Sequence, residues 1–537
     1  MIHHAKRLSA GNITLLAGGL IIAAGPSRAP RAPDQARESL GRVSLPVTCE
    51  PSVQDEFDYG VALLHHMTYP VAHAAFERVT EADPDCAMGY WGIALTLFQP
   101  LWPTRPGEQD LRDGWAAVQE AQQLQAPTER ERMYVATAAA FFDPAGTPDY
   151  ATRISRWVEA TEALHEAYPD DQEAGALFAL TLLATERSAR PGEHRAEAAD
   201  VLLAIYGEEP THPGALHYTI HANDFVGRER ESLELVRAYG EVAPNNPHAL
   251  HMPTHIFVRL GEWQDVISWN ERSSAAALAQ KVGPNEEWVW DEFPHAVEYL
   301  SYAHLQRADD STAVEVIRTL HETMDLQPSF KTAFHLASTS ARYALERRAW
   351  SEAEQLPVRS PSSLNWDRFQ WPEAITWFAR GLGAAHNGAI TDARAALDQL
   401  NTLEQRAVAP FAVEIQILRL ELAAWIAWSS GDADGAVQLM REAAALEATS
   451  PKNPVTPAGT IPAGELLGDL LTEIGDARGA LAAFQAADAR APDRYNTLLG
   501  AARAAATLGD TETASDFYRR LQGKVAPNSP RPGLTEA

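Results

Sequence analysis

The chain has 537 residues, 45% of them hydrophobic and 22% charged, which is enough to bury a large core in several domains or in one long repeat array. Its 72 acidic side chains outnumber 44 basic ones, so the net charge is −28. A surface of that sign repels a phosphate backbone, which excludes nucleic acid as a partner, and most of these charges are expected to lie in solvent.

The first segment has the plan of a secretory signal. Lys6 and Arg7 precede the apolar run from Ile13 to Ala24, and small residues and prolines follow it. Twelve apolar residues are too few to span a bilayer, which takes about 20. Residues 1–32 are therefore predicted to be a signal peptide and a Pro-rich linker. The mature protein is predicted to be periplasmic or secreted and to have no membrane span.

The only two cysteines are Cys49 and Cys86. An even number of cysteines in an oxidising compartment predicts a disulfide, here between the segment before the first helix and the start of the second. Two free buried thiols are the alternative.

A spacing of 34 residues organises the chain. Residues 57–90 place Gly60, Ala72, Phe76 and Pro84 at the offsets of a helical hairpin repeat. Ala-rich amphipathic stretches alternate with short Pro, Gly and Asp breaks, and no stretch alternates as a strand does. The prediction is an all-α solenoid. Its parts are an N-terminal array (45–355), an insert (356–373), a C-terminal array (374–525) and a disordered tail (526–537).

Residues from about 45 to 525 resemble the tetratricopeptide-repeat superfamily and, more narrowly, a group of exported bacterial repeat proteins. The phrases that carry the resemblance are ALLHHMTYPVAHAAFERVTEADPDCAMGYWGIAL, HPGALHYTIH, HALHMPTHIFVRLGEW and PAGELLGDLL. It implies a right-handed superhelix whose concave groove binds peptides or partner proteins and is lined by the first helix of each hairpin. It implies no particular reaction.

Two histidine pairs repeat at the same interval. HPGALHYTIH (212–221) aligns without a gap on NPHALHMPTH (246–255). Residues four apart share one face of a helix, so each pair can chelate, and neighbouring first helices pack about 8–10 Å apart. The predicted metal ligands are His217, His221, His251 and His255. Groove polarity copied by duplication is the alternative.

The same register extends the polar stripe into two later repeats. Glu298 and Tyr302 take the places of His251 and His255, and Ser338 and Arg342 take them again one repeat further on. Glu298 and Tyr302 are the predicted catalytic residues if the protein is an enzyme, because a carboxylate beside a metal can act as a base on bound water. Ser338 and Arg342 are predicted to contact a ligand.

Three further features near the pairs allow two interpretations each. Asp224 is either a ligand or hydrogen-bond acceptor for a histidine, or an exposed acid that caps a turn. Pro253 either aims the imidazoles of a kinked helix or marks a helix that starts late. His248, His295 and His335 recur before or at the starts of their helices and are interpreted as caps or as a second ring.

No nucleophile elbow, Walker loop, dinucleotide fingerprint or H-E-x-x-H motif occurs in the sequence. The prediction is an exported solenoid that binds a transition metal ion (Zn, Cu, Ni or Fe) and a small-molecule or peptide ligand in its concave groove. A metal-dependent hydrolase or oxidoreductase is the first alternative. A scaffold that binds a protein partner without metal is the second.

Overall fold

Helices build nearly all of the described chain, as the sequence predicts. The computed structural model describes residues 39–531 except 103, 186–192, 284, 410, 451 and 528. The predicted signal segment therefore lies outside the described residues. Among the described helices, none is both long enough and apolar enough to cross a membrane.

The N-terminal part of the described chain runs through consecutive helices joined by short turns. After a 3-10 turn at Pro51–Val53, these helices are α1 (Gln54–His65), α2 (Tyr69–Ala82), α3 (Ala87–Thr96), α4 (Glu108–Gln123), α5 (Glu129–Phe142), α6 (Tyr150–Ala167), α7 (Gln172–Thr185), α8 (Glu193–Glu208), α9 (Pro213–Asn223), α10 (Leu233–Val242), α11 (Pro247–His251), α12 (Pro253–Arg259) and α13 (Trp263–Leu278).

The C-terminal part continues in the same way after a two-stranded antiparallel ribbon, β1 (Lys281–Val282) and β2 (Trp288–Val289). A second 3-10 turn, Trp366–Arg368, lies in the predicted insert. The helices are α14 (Glu292–Gln306), α15 (Asp310–Glu322), α16 (Phe330–Glu346), α17 (Trp350–Glu354), α18 (Gln370–His386), α19 (Ile390–Arg406), α20 (Phe411–Ser429), α21 (Ala433–Thr449), α22 (Ala463–Ile474), α23 (Ala477–Arg490), α24 (Tyr495–Thr507) and α25 (Thr511–Lys524).

The glycines of the repeat pattern make room for a buried phenylalanine. A Cβ atom on Gly60 would lie 2.8 Å from the ring of Phe76, and one on Gly92 would lie 2.3 Å from it. The ring is fully buried between α1 and α3. Packing of this density explains why the hairpin spacing keeps Gly and Phe at fixed offsets.

The same arrangement recurs near the C-terminal end. The buried ring of Phe484 lies 2.6 Å from where a Cβ on Gly468 would stand and 2.3 Å from the corresponding point on Gly500. The two ends of the array therefore use one packing solution. Consecutive helices joined by short turns form most of the described chain, in agreement with the predicted all-α solenoid.

The structure joins Cys49 to Cys86 in the predicted disulfide, with 4.9 Å between the Cα atoms. Cys86 is the residue that precedes α3 at its N-terminus. The bond therefore ties the segment before α1 to the start of the second hairpin.

The start of the predicted disordered tail (526–537) is anchored instead. The backbone N–H of Ala526 donates to the carbonyl of Arg307 at 2.8 Å, and the Ser529 hydroxyl donates to the carbonyl of Ala308 at 2.7 Å. These bonds satisfy carbonyl groups at the turn after α14. Residues 532–537 lie outside the described chain.

Candidate metal centre

The helices that carry the two histidine pairs begin at N-cap residues that occupy the same position in both repeats. The ring of His212 accepts a hydrogen bond from the backbone N–H of Ala215 (3.1 Å) at the start of α9, and Asn246 does the same for Ala249 (3.0 Å) at the start of α11. A proline follows each cap, where its missing N–H costs nothing. The aligned histidines therefore enter matched helices in register.

Pro253 interrupts the second of these helices. The helix begins at Pro247, so it does not start late, and α11 ends at His251 while α12 begins at Pro253. Despite the break, the Nε2 atoms of His251 and His255 are 3.2 Å apart. The interpretation of Pro253 as a kink within the histidine helix therefore holds.

The four predicted ligands form two pairs, and a histidine from a following helix completes each pair to a group of three. In triad A, the Nε2 atom of His217 lies 3.2 Å from that of His221 and 3.2 Å from that of His248. In triad B, His251 and His255 are joined by His295, with one nitrogen of each ring within 4.8 Å of the others. The six histidines come from α9, α11, α12 and α14.

His248 and His295 were not among the predicted ligands. Of the two interpretations of His248, His295 and His335, helix capping is wrong, because the N-cap residues are Asn246 in α11, Asp291 in α14 and Ser329 in α16. Their recurrence one repeat apart was the available signal. In a solenoid, a residue in the first turn of one helix packs against the equivalent helix of the preceding repeat, at the aligned position three residues further on. This offset brings the third histidine to each triad.

Each imidazole of the second pair donates its Nδ1 proton away from the cluster. Nδ1 of His251 lies 2.8 Å from Oδ1 of Asn270, whose amide nitrogen donates to the carbonyl of Val266. Nδ1 of His255 lies 3.0 Å from Oδ2 of Asp224. Because both partners are acceptors, the Nε2 atoms of both neutral rings carry lone pairs.

Asp224 is a buried partner of His255 and not an exposed turn cap. Its carboxylate also receives Arg259 at 2.6 Å and Lys452 at 3.0 Å. Burial alone would raise the pKa of Asp224, but Lys452 and Arg259 hold it well below its ordinary value. The carboxylate is therefore ionised and can only accept the His255 proton.

Two rings of triad A also have an acceptor behind Nδ1. Nδ1 of His217 lies 2.5 Å from the carbonyl oxygen of His65, and Nδ1 of His248 lies 3.2 Å from Oε2 of Glu292. Lys331 pairs with Glu292 at 2.5 Å and, against the effect of burial, helps to hold the pKa of Glu292 below its ordinary value. The Nε2 atoms of His217 and His248 therefore face each other on the inner side of the triad, 3.2 Å apart.

Burial keeps the rings of His217, His221, His255 and His295 neutral. Burial first, and the neighbouring histidines second, lower the pKa of His217, His221 and His295 well below the ordinary value. Burial and Lys452 lower the pKa of His255 to about 4. Two lone pairs 3.2 Å apart repel each other unless a cation lies between them.

The spacing of the nitrogens matches a metal site. Bonds of about 2.0–2.1 Å to a tetrahedral ion place neighbouring nitrogen ligands about 3.3 Å apart. Three Nε2 pairs of the cluster are separated by 3.2 Å. An acceptor behind the other ring nitrogen is the usual support of a metal-bound histidine. The residues present therefore fit two ions, one in each triad.

A third cluster of similar composition is a closed hydrogen-bond network. His65 and His212 each bond to the carboxylate of Glu173 through Nε2, at 2.6 and 3.2 Å. The Tyr218 hydroxyl lies 3.1 Å from Nδ1 of His65, and Nδ1 of His212 already caps α9. No two nitrogen lone pairs face each other in this cluster, so its side chains are satisfied without an ion.

The predicted catalytic residues do not contact the triads through their functional atoms. The Glu298 carboxylate bonds to Nδ1 of His335, while Nε2 of His335 lies 3.1 Å from Nδ1 of His295. Glu298 therefore lies behind triad B, at the end of a relay of two imidazoles. The Tyr302 hydroxyl accepts a hydrogen bond from Arg494 at 2.7 Å.

The predicted ligand contacts Ser338 and Arg342 are both buried. The Arg342 guanidinium donates to Glu298 and Thr456 and to three carbonyls of residues 458–460, so it fixes this loop. The Ser338 hydroxyl has no hydrogen-bond partner among the described residues.

A cavity of about 710 Å³ adjoins the cluster on the far side of Asp224. Asp224, Arg259 and Lys452 line one part of it, and Glu421 and Glu447 line another. Glu421 is fully buried, and neither of its carboxyl oxygens has a hydrogen-bond partner among the described residues. Burial, and then Glu447 and Glu414, raise the pKa of Glu421 well above its ordinary value.

Comparison with known proteins finds only distant structural likeness. No family description matches it, and no curated protein matches it. A structure of Naa15/Naa10 bound to HypK-THB is 12% identical, with 90% of this chain and 70% of that chain covered and a TM-score of 0.23. A structure of the APC/C hetero-tetramer Cut9-Hcn1 is 12% identical, with 88% and 94% covered and a TM-score of 0.29.

These likenesses carry no argument about function, and the fold assignment rests on the hairpins themselves. The class that fold and site define is an all-α solenoid of tetratricopeptide-like hairpins with a buried cluster of six histidines. The histidines lie on helices of successive repeats, and each triad spans two of them.

Proposed function

We propose that this protein binds two transition-metal ions, one in triad A (His217, His221, His248) and one in triad B (His251, His255, His295). The observation that carries the proposal is the approach of Nε2 atoms to 3.2 Å in three pairs, with acceptors behind the Nδ1 atoms of His217, His248, His251 and His255. Such an arrangement is costly without a cation and is ordinary around one.

The donor set favours copper or zinc over nickel or iron. All six inward-facing donors are imidazole nitrogens, whereas non-haem iron sites commonly add a carboxylate. Calcium and magnesium are disfavoured because they take oxygen ligands. The carboxylates near the triads act through a histidine instead of facing the ions, as Asp224 does through His255.

Three protein nitrogens for each ion favour a reactive centre over a purely structural one. Structural zinc sites close their tetrahedron with four protein ligands, while catalytic sites keep a position for water or substrate. A metal-dependent hydrolase or oxidoreductase is therefore the second candidate function. In it, Glu298 would set the proton position of His335 and His295 and would not act as the base itself.

A small or peptidic ligand is proposed to occupy the 710 Å³ cavity beside Asp224. An unpartnered buried carboxyl group costs free energy, and a ligand with an amine or other donor group would satisfy Glu421. The cavity volume lies in the range of known small-molecule sites, which is about 300–1,000 Å³.

The protein is proposed to work in the periplasm or outside the cell. The signal-like segment at residues 1–32 and the disulfide between Cys49 and Cys86 support this location.

Elemental analysis of tag-free protein tests the proposal. We expect close to two ions of copper or zinc per chain, and a loss of most of that metal in the His217→Ala/His251→Ala double variant. His212→Asn is the matched control, because asparagine caps the equivalent helix at position 246 and His212 belongs to the satisfied third cluster. If wild-type protein takes up neither metal after Zn(II) or Cu(II) is added, the proposal fails, and a partner-binding solenoid remains.

A further inference from the structure

The two triads are not separated by a structural gap. The ring centroids of His221 and His255, which belong to different triads, are 6.0 Å apart, and those of His248 and His251 are 6.4 Å apart. Within triad B, the rings of His255 and His295 are 6.5 Å apart. The distance between triads is therefore no larger than the distance across one of them.

One aromatic side chain closes the same side of both triads. The ring of Trp102 lies 5.6 Å from that of His248 in triad A and 5.9 Å from that of His295 in triad B. Lys331 lies over the outer part of this wall, 4.3 Å from the Trp102 ring centre. The six imidazoles thus form one group, called the cage here, in which five rings are buried and His221 is half-buried.

The cage lacks negative charge of its own. Its inward-facing atoms are neutral imidazole nitrogens, and the nearest carboxylates are already paired with cations. Asp224 pairs with Arg259 and Lys452, and Glu292 pairs with Lys331. Two divalent ions would therefore place several positive charges in a buried site that the described side chains do not balance, which is unfavourable in a low dielectric.

We infer that the two triads form one dinuclear centre whose ions share a small bridging anion, such as hydroxide or azide. The inference rests on the proposed metal binding and adds the class of ligand that the centre takes. Each ion has three protein nitrogens and at least one open position. One anion between two neighbouring ions would fill an open position on each and supply the missing charge.

Electron paramagnetic resonance of the Cu(II)-loaded protein tests the inference. The full-length mature protein is loaded to saturation, its copper is counted by elemental analysis, and its spins are counted by double integration. We expect two copper ions per chain and an integrated signal several-fold below the copper content, because exchange through a bridging anion pairs the two electron spins. Azide titration is expected to saturate at one azide per two copper ions.

Variants separate coupling from loss of binding. His295→Asn is expected to leave one copper ion in triad A with its full spin intensity, since no partner ion remains. His212→Asn is expected to keep two ions and the reduced signal, because it changes only the third cluster and preserves the cap. Far-UV circular dichroism checks that each variant is folded.

The outcomes distinguish the two proposals. Two copper ions with full integrated intensity, whether sharp or broadened, would overturn the bridged centre while metal binding stands. One copper ion per wild-type chain would overturn the bridged centre and also the proposal of one ion in each triad. No bound copper or zinc would overturn the metal proposal itself.

Discussion

His251 and His255 bring their Nε2 atoms to within 3.2 Å of each other across a helix that Pro253 has broken. Asn270 and Asp224 hold the outer nitrogens, so the inner ones meet without a proton between them. The repulsion between the two nitrogen lone pairs lowers the stability of the folded protein, and only a cation relieves it. The predictions below follow from this contact and from the surroundings that enforce it.

Removing the histidine that completes one triad is expected to halve the metal content. His248→Asn and His295→Asn each leave two of three nitrogens in one triad, which is too few to hold an ion tightly. Plasma mass spectrometry of each purified variant should find one ion per chain where the wild type has two. An unchanged content in both variants would show that the triads do not hold the ions.

Asp224→Asn is expected to weaken metal binding about 10- to 100-fold, the usual cost of losing an outer hydrogen-bond partner of a metal-bound histidine. The carboxylate fixes the His255 ring with Nδ1 protonated. Competition against a chromophoric chelator measures the change. Asp310→Asn is the matched control, because Asp310 pairs with Arg531 far from the cluster. Equal affinities in the two variants would contradict the role of Asp224.

Acidification is expected to destabilise the metal-free protein from about pH 6.5 downward. Burial lowers the pKa of His66 to about 3, and burial and Arg348 lower that of His386 to about 3. Below pH 6.5 these two histidines bind protons in the unfolded chain but not in the folded protein. The free energy of unfolding therefore falls by up to about 1.4 kcal/mol per pH unit for each ring.

Urea unfolding at pH 7.5, 6.5, 5.5 and 4.5 measures this dependence. His386→Phe is expected to reduce the slope while keeping the stacked contact with Trp350, whose ring centre lies 3.8 Å away. A midpoint that does not change between pH 6.5 and 4.5 would disprove the prediction.

Glu421→Met is expected to raise the free energy of unfolding by about 1–3 kcal/mol, because an unpartnered buried carboxyl group gives way to an apolar side chain of similar length. The same change is expected to abolish ligand binding in the cavity. Thermal unfolding of wild type and variant measures the first effect. Glu414→Met, at another residue lining the cavity, is the control. A lower melting temperature for Glu421→Met would show that the carboxyl group has a stabilising partner.

Replacing both cysteines by alanine is expected to cost about 3–4 kcal/mol, since the bond closes a loop with a sequence separation of 37 and restricts the unfolded chain. The loss appears as a lower midpoint of urea unfolding for the Cys49→Ala/Cys86→Ala variant. Wild-type protein kept in reductant should shift in the same direction. If neither change moves the midpoint, the bond contributes nothing to stability.

The sequence by itself determined the hairpins and the histidine pairs, because both depend on local geometry. Helical periodicity places His217 with His221 on one face, and the 34-residue interval copies that face into the next repeat. The interior glycines follow from the same pattern, as the contact of Gly60 with Phe76 illustrates.

Only the tertiary structure decided how the histidines divide. Which nitrogens meet depends on the rotation and spacing of neighbouring helices, and side-chain packing between repeats sets both. Packing brings His248 to His217 and leaves His251 for His295. Gly214 occupies the position that aligns with His248 one repeat earlier. A Cβ atom on Gly214 would lie 2.7 Å from Nδ1 of His65, so no further histidine fits there.

The partners of the imidazoles were equally out of reach of the sequence. Asp224 and His255 are 31 residues apart, and Lys452 reaches Asp224 from the C-terminal array. Long-range contacts of this kind carry no local pattern, since each depends on how separate hairpins pack. The sequence therefore determined which residues could bind a metal. The packing of the solenoid decided which of them meet and which ring nitrogen of each carries the proton.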